Sequence, residues 1–169
     1  DPALKFLKEE ISSFFSRNRI QAENPNTMGT PRRLVLSVKG VTTIQKDYVE
    51  EFLGPGVSVA YDEKGQPTKA ALGFARGKGL DVADLTRKQT PKGEVVCALI
   101  KNKGRSTSSL LNDYLPQLIN EIPFQKKMRW ANNSRPFARP LHWVVALFDG
   151  KSLEFEFDGI ANDVISRGH

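Results

Sequence analysis

An apolar stripe between residues 106 and 122 is the feature that most constrains what this chain can fold into. Leu110, Leu111, Tyr114, Leu115, Leu118, Ile119 and Ile122 follow a Ser/Thr-rich start at helical spacing, so a helix gathers them on one face. Pro116 within the stripe predicts a bend or a split, because proline donates no N–H and its ring clashes with the preceding turn. Pro123 ends the helix. Residues 3–20 repeat the pattern with Leu4, Leu7, Ile11, Phe14 and Phe15, and Pro2 suits a first turn. These two faces need cover, and a chain of 169 residues is long enough to bury roughly two thirds of its unfolded surface.

The cover comes from stretches with a period of two. Residues 32–39 alternate, with Leu34, Leu36 and Val38 opposite Arg33, Val35, Ser37 and Lys39, and the strand is expected to run on through 41–44. Residues 48–53 predict a second strand, stopped by Gly54-Pro55-Gly56, and 57–61 a weaker one, closed by the turn residues Asp62-Glu63-Lys64-Gly65. Residues 21–29 predict a polar loop. Thr68 predicts the N-cap of a short helix over 69–78, with Ala71, Leu72 and Ala75 as its apolar side and Gly79 as its stop. A hairpin is expected from 85–89 and 94–101 about Pro91-Lys92-Gly93. Its second arm puts Val95, Cys97 and Leu99 on one face, which makes Cys97 a small core residue. A last hairpin joins 141–148 to 151–157 through Asp149-Gly150, a strong two-residue loop signal, with Leu153, Phe155 and Phe157 facing one way and Glu154, Glu156 and Asp158 the other. The expected architecture is α+β, with antiparallel strands, two main helices and one short one, spanning 1–169 as one domain.

Charge is unevenly spread. The chain carries a net +6, yet residues 123–143 alone hold Lys126, Lys127, Arg129, Arg135 and Arg139, and no acid occurs between Glu121 and Asp149. Phe124, Trp130, Phe137 and Trp143 interleave these cations, and both tryptophans of the chain lie here. Cations on phosphates and rings on bases make such a run a candidate polyanion-binding surface. The competing reading puts the aromatics in the core and the charges on a solvated rim. A sequence pI near 9.5 fits a nucleic-acid partner. One cysteine makes no intrachain disulfide, and no apolar run approaches the ~18 residues of a membrane span. A reducing, cytoplasmic setting is expected, with no membrane contact.

Catalytic chemistry is hard to assemble. One cysteine and two histidines, His142 and His169, form no metal-ligand spacing, and no nucleophile elbow or dinucleotide fingerprint occurs. The run Gly73-Phe74-Ala75-Arg76-Gly77-Lys78-Gly79 lacks the Gly-Lys-Ser/Thr ending of a phosphate loop, and its glycines fall within and after a helix. Neither a catalytic nor a metal site is expected, and His142 is expected to be structural.

Several blocks together carry a resemblance: Thr30-Pro31-Arg32-Arg33-Leu34, the Gly54-Pro55 step, YDEKGQPTKAALGFARGKGL at 61–80, TPKGE at 90–94, IPFQKKMRWANNSRPFARPLHWVVALFDG at 122–150, and Arg167-Gly168-His169. In order and spacing the chain resembles the amino-terminal region of the beta subunit of bacterial-type, two-subunit (alpha2–beta2) glycyl-tRNA synthetase. Members of that family have a short strand and a Glu-Glu-Leu-Pro segment upstream of the first helix, so one sheet here is expected to lack an edge partner. Both ends suggest a part of a longer polypeptide. The resemblance implies an alpha subunit that carries the catalytic core with ATP and Mg²⁺, and a beta subunit that supplies tRNA contacts. Its HD-like and anticodon-binding domains would lie beyond residue 169, and its amino-terminal region is similar to the B3/B4-type domain of the phenylalanyl enzyme.

No cofactor is therefore expected in these residues, and the implied partners are the alpha subunit and the tRNA for glycine. Arg32, Arg33, Lys126, Lys127, Arg129, Trp130, Arg135, Phe137 and Arg139 are the candidate contacts, the cations on phosphates and Trp130 or Phe137 stacked on a base. An architectural reading competes, in which the same run meets an acidic patch of a partner subunit without touching RNA. An editing-type hydrolase is a third reading, disfavoured because no residue matches an editing constellation.

Overall fold

The computed structural model describes residues 1–91, 93–130 and 135–166. Its elements run α1 (Pro2–Arg17), β1 (Asn26–Thr30), β2 (Arg33–Ser37), β3 (Tyr48–Gly56), α2 (Val57–Ala60), α3 (Lys69–Gly77), β4 (Thr86–Thr90), β5 (Gly93–Asn102), α4 (Thr107–Glu121), β6 (Val144–Val145), β7 (Leu147–Phe148), β8 (Lys151–Ser152), β9 (Glu156–Phe157) and β10 (Ile160–Asp163). The fold is α+β. It divides into one unit made of 1–46 and 104–169, and a second, 47–103, inserted within it in sequence.

The first unit is organised by α1 and α4. Asp1 caps α1 by accepting the Ala3 N–H, and Ser106 caps α4 by accepting the Ser109 N–H. Their stripes meet: Leu7, Ile11, Phe14 and Phe15 join Leu110, Leu111, Leu118, Ile122 and Leu153 in one core. The Phe14 ring stacks on Tyr114 at 4.2 Å. Burial and the adjacent Glu10 push the Tyr114 phenol up to about 12. Pro116 neither splits nor ends α4, which runs unbroken from Thr107 to Glu121. Each fully buried Leu contributes about 1.5–3 kcal/mol, so the stripe outweighs the ~3 kcal/mol that an interior proline costs.

The β1–β2 ribbon packs its Leu34 and Leu36 on that core. β1 falls where a polar loop was expected, since Asn26, Thr27, Met28 and Gly29 carry no apolar alternation and are drawn into a strand by the ladder with β2 alone. Beyond β2 the strand does not continue to residue 44. A single bridge, Ile44 to Ser106, stands there instead. Beside it the fully buried Thr107 hydroxyl donates to the Thr42 carbonyl at 2.6 Å, and the Thr107 N–H donates to the Thr43 carbonyl. These bonds tie the chain together where it leaves for the inserted unit and where it returns.

Asp149 and Gly150 both take positive φ, 51° and 73°, and turn β7 into β8 as the Asp-Gly pair predicts. The arms are shorter than expected, and β10 pairs with β6 in parallel, so the strands are not uniformly antiparallel. The Asn162 side chain explains the interruption: its carbonyl oxygen accepts the Ala146 N–H at 2.6 Å, and its amide donates to the Ala146 and Leu153 carbonyls and the Ser152 hydroxyl. The side chain thus takes the Ala146 N–H out of the ladder, while the Ala146 carbonyl still accepts the Leu153 N–H at 3.1 Å.

In the inserted unit β5 lies between β3 and β4, antiparallel to both. Val96 packs with Ala60 and Ala71 of the helices, and Cys97 is buried as expected. The expected face of Val95, Cys97 and Leu99 is therefore the opposite one, and Leu99 is exposed on it. Residues 57–60 form the helical turn α2 rather than a strand, because Ala60 must lie buried beneath α3 while its carbonyl accepts the Thr68 N–H. Thr68 caps α3 as expected, and Phe74 lies so close to Gly54 that a Cβ there would fall 2.7 Å from its ring. Lys92, at the centre of the expected 91–93 turn, lies outside the described residues.

Candidate nucleic-acid interface

The basic run leaves α4 at Ile122, which is buried. The run then folds back on itself. The Met128 N–H donates to the Phe137 carbonyl and the Phe137 N–H to the Met128 carbonyl, both at 3.0 Å, which holds residues 128 and 137 side by side. The Trp130 indole N–H donates to the same Phe137 carbonyl at 3.0 Å. The Phe137 ring anchors this pair, edge-on to Phe124 at 4.9 Å and to the buried Phe157 at 6.4 Å. Phe124 and Phe137 are partly buried and pack against the core of the first unit, and Phe157 is buried. Residues 131–134 lie outside the described residues, as do Arg167, Gly168 and His169.

The charges point the other way. Lys126, Lys127, Arg129, Arg135 and Arg139 are all exposed, and none forms an ion pair among the described residues. Lys127 donates to the Asn120 carbonyl at 3.4 Å, and its ammonium sits 5.9 Å from the Phe124 ring centre. The Arg135 guanidinium lies 5.4 Å from the Phe157 ring centre, and the Arg135 N–H donates to the Asp158 carboxylate at 3.4 Å. Arg33 reaches across from β2 to place its guanidinium 5.2 Å from the Trp143 ring centre. That contact sets the β1–β2 turn, with exposed Arg32, beside the far end of the run. Exposed cations over an apolar anchor, in a stretch without acids of its own, concentrate positive charge on this surface.

The sequence reading did not foresee what holds this run. Phe157 was legible as inward-facing from the alternation of 153–158, but nothing in that pattern pairs it with Phe124 and Phe137. The Arg33–Trp143 contact joins residues more than a hundred positions apart, and has no local signal.

The inserted unit carries a second polar cluster. Lys88 on β4 bonds the Glu51 carboxylate on β3, and the Cys97 thiol between them donates to Glu51 at 3.3 Å. The bond from Lys88 holds Glu51 below the usual carboxylate range, while Lys88 itself is raised by Glu51. Burial, then the hydrogen bond to Glu51, pushes the Cys97 thiol up, which opposes the thiolate a nucleophile needs. No group of three metal-ligating side chains occurs among the described residues. No helix among them is long and apolar enough to cross a membrane.

A family model described as "Glycyl-tRNA synthetase beta subunit" matches residues 1–169. Relatives named glycine–tRNA ligase beta subunit include that of Geobacter metallireducens, 52% identical over 167 residues, and that of Clostridioides difficile, 43% identical over 166. The alignments cover 99% and 98% of this chain but 24% of each relative. The chain thus spans about a quarter of the length of the curated relatives it matches.

Proposed function

The chain belongs to the glycyl-tRNA synthetase beta-subunit family, and from that premise we propose that it is a non-catalytic, tRNA-binding part of a glycine–tRNA ligase. In this reading it supports the ATP-dependent attachment of glycine to its tRNA in the cytoplasm. ATP and Mg²⁺ belong to the partner alpha subunit, and these residues hold neither. Lys126, Lys127, Arg129, Arg135 and Arg139 take backbone phosphates, with Arg32 at the adjoining turn. The observation that carries the reading is the sorting within one run: Phe124 and Phe137 pack on the core, while five cations stand exposed and form no ion pair among the described residues.

The architectural reading keeps one observation in its favour. Met128, within the run, is 58% exposed, and an apolar side chain amid cations suits a protein interface. A variant with Arg129→Gln and Arg135→Gln separates the two readings. RNA binding predicts weaker affinity for the tRNA and unchanged affinity for the alpha subunit. The opposite pattern would assign the run to subunit assembly.

A further inference from the structure

An RNA surface meets either unpaired bases or a base-paired stem, and the two demand different side chains. Single strands are held by exposed ring faces on which successive bases stack, with cations tracking the backbone. Base-paired RNA hides its base faces and is recognised by shape, phosphates and 2′-hydroxyls. The basic run has the cations, but its rings are committed elsewhere. Phe137 is packed by Phe124 and Phe157, and the Trp130 indole is tied to the Phe137 carbonyl. Trp143 carries the Arg33 guanidinium over its ring. All four Phe and Trp side chains of the run are at least half-buried. Among the described residues Tyr48 is the one exposed Phe, Tyr or Trp, and it belongs to the inserted unit. The exposed ring left in the run is the small imidazole of His142.

We infer that the RNA feature taken by this surface is a base-paired stem, held through its phosphates, and not an unpaired loop. The inference rests on the tRNA reading above, and it gives Trp130 and Phe137 an anchoring role in place of the stacking expected from the sequence. Phosphate density sets the size of the preference. Counterion release contributes about 0.9 log units per neutralised phosphate on a duplex and about 0.7 on a single strand. Over five phosphates the difference is about one log unit, or about tenfold in affinity near 0.1 M salt.

The test titrates the chain against two labelled RNAs with equal numbers of phosphates, a closed hairpin stem and an unstructured pyrimidine strand. Anisotropy reports affinity, and tryptophan emission reports stacking. The stem should bind about tenfold tighter near 0.1 M salt, with the steeper salt dependence, and the strand should leave indole emission unquenched. Equal or tighter binding of the strand with quenched emission overturns the stem assignment while leaving the RNA reading intact. Binding of neither RNA overturns the RNA reading, and the stem assignment with it.

Discussion

Replacing Phe137 by alanine distinguishes an anchor from a stacking platform. A buried Phe→Ala change costs about 3–5 kcal/mol, and a half-buried ring with two edge contacts forfeits about half of that, ~2 kcal/mol. Phe137 sits in the unit formed by 1–46 and 104–169, for which each kcal/mol shifts the melting midpoint by about 4 °C. The expected loss is therefore ~8 °C, read by circular dichroism. The substitution removes no charge, so the salt dependence of RNA binding, measured well below the midpoint, should keep its slope. An unchanged midpoint together with a tenfold or greater loss of RNA affinity would refute the reasoning, because it would mean that the ring faces RNA and not Phe124 and Phe157.

Other predictions concern the framework. Gly104→Ala drives a Cβ into the Gln45 carbonyl where the chain returns from the inserted unit, and should destabilise the protein by about 3 kcal/mol or more in denaturant titration. A loss within 0.5 kcal/mol would show that this crossing relaxes freely. Thr107→Val keeps the shape but strands the Thr42 carbonyl, and should cost about 1–3 kcal/mol in the same assay. Glu51 titrates below its ordinary 4.5 in the folded chain, so its stabilising contribution is present above that value and lost as pH falls through the folded pKa. Glu51→Gln should therefore lower the denaturant midpoint near neutrality and narrow the gap between neutral and acid midpoints. An unaltered gap would remove the Lys88–Glu51 contact from the acid response.

The elements with strong local chemistry were legible in the sequence. The two helical stripes, the Thr68 cap and the Asp149-Gly150 loop each carry their own physical signal, and each forms where expected. Elements held by distant partners were not. β1 is a strand only because β2 pairs with it, and the Asn162 bonds that interrupt the last hairpin depend on a residue sixteen positions from Ala146. Alternation made Cys97 a small core residue, and it is buried, but alternation could not say that the helices would cover Val96 on the other face. The candidate site divides along the same line. Its cations could be counted in the sequence, whereas the inward commitment of Phe124, Phe137 and Trp130 depends on the two backbone bonds between Met128 and Phe137 and on Phe157.

The most direct test of phosphate binding by the run is the slope of log affinity against log salt for the tRNA. Five exposed cations predict a slope of about −4.5 on base-paired RNA, a loss of about 500-fold between about 50 and 200 mM salt. With Arg129→Gln and Arg135→Gln together the slope should fall to about −2.7, and the loss to about 40-fold. A slope that the two substitutions leave unchanged would take this run off the RNA surface.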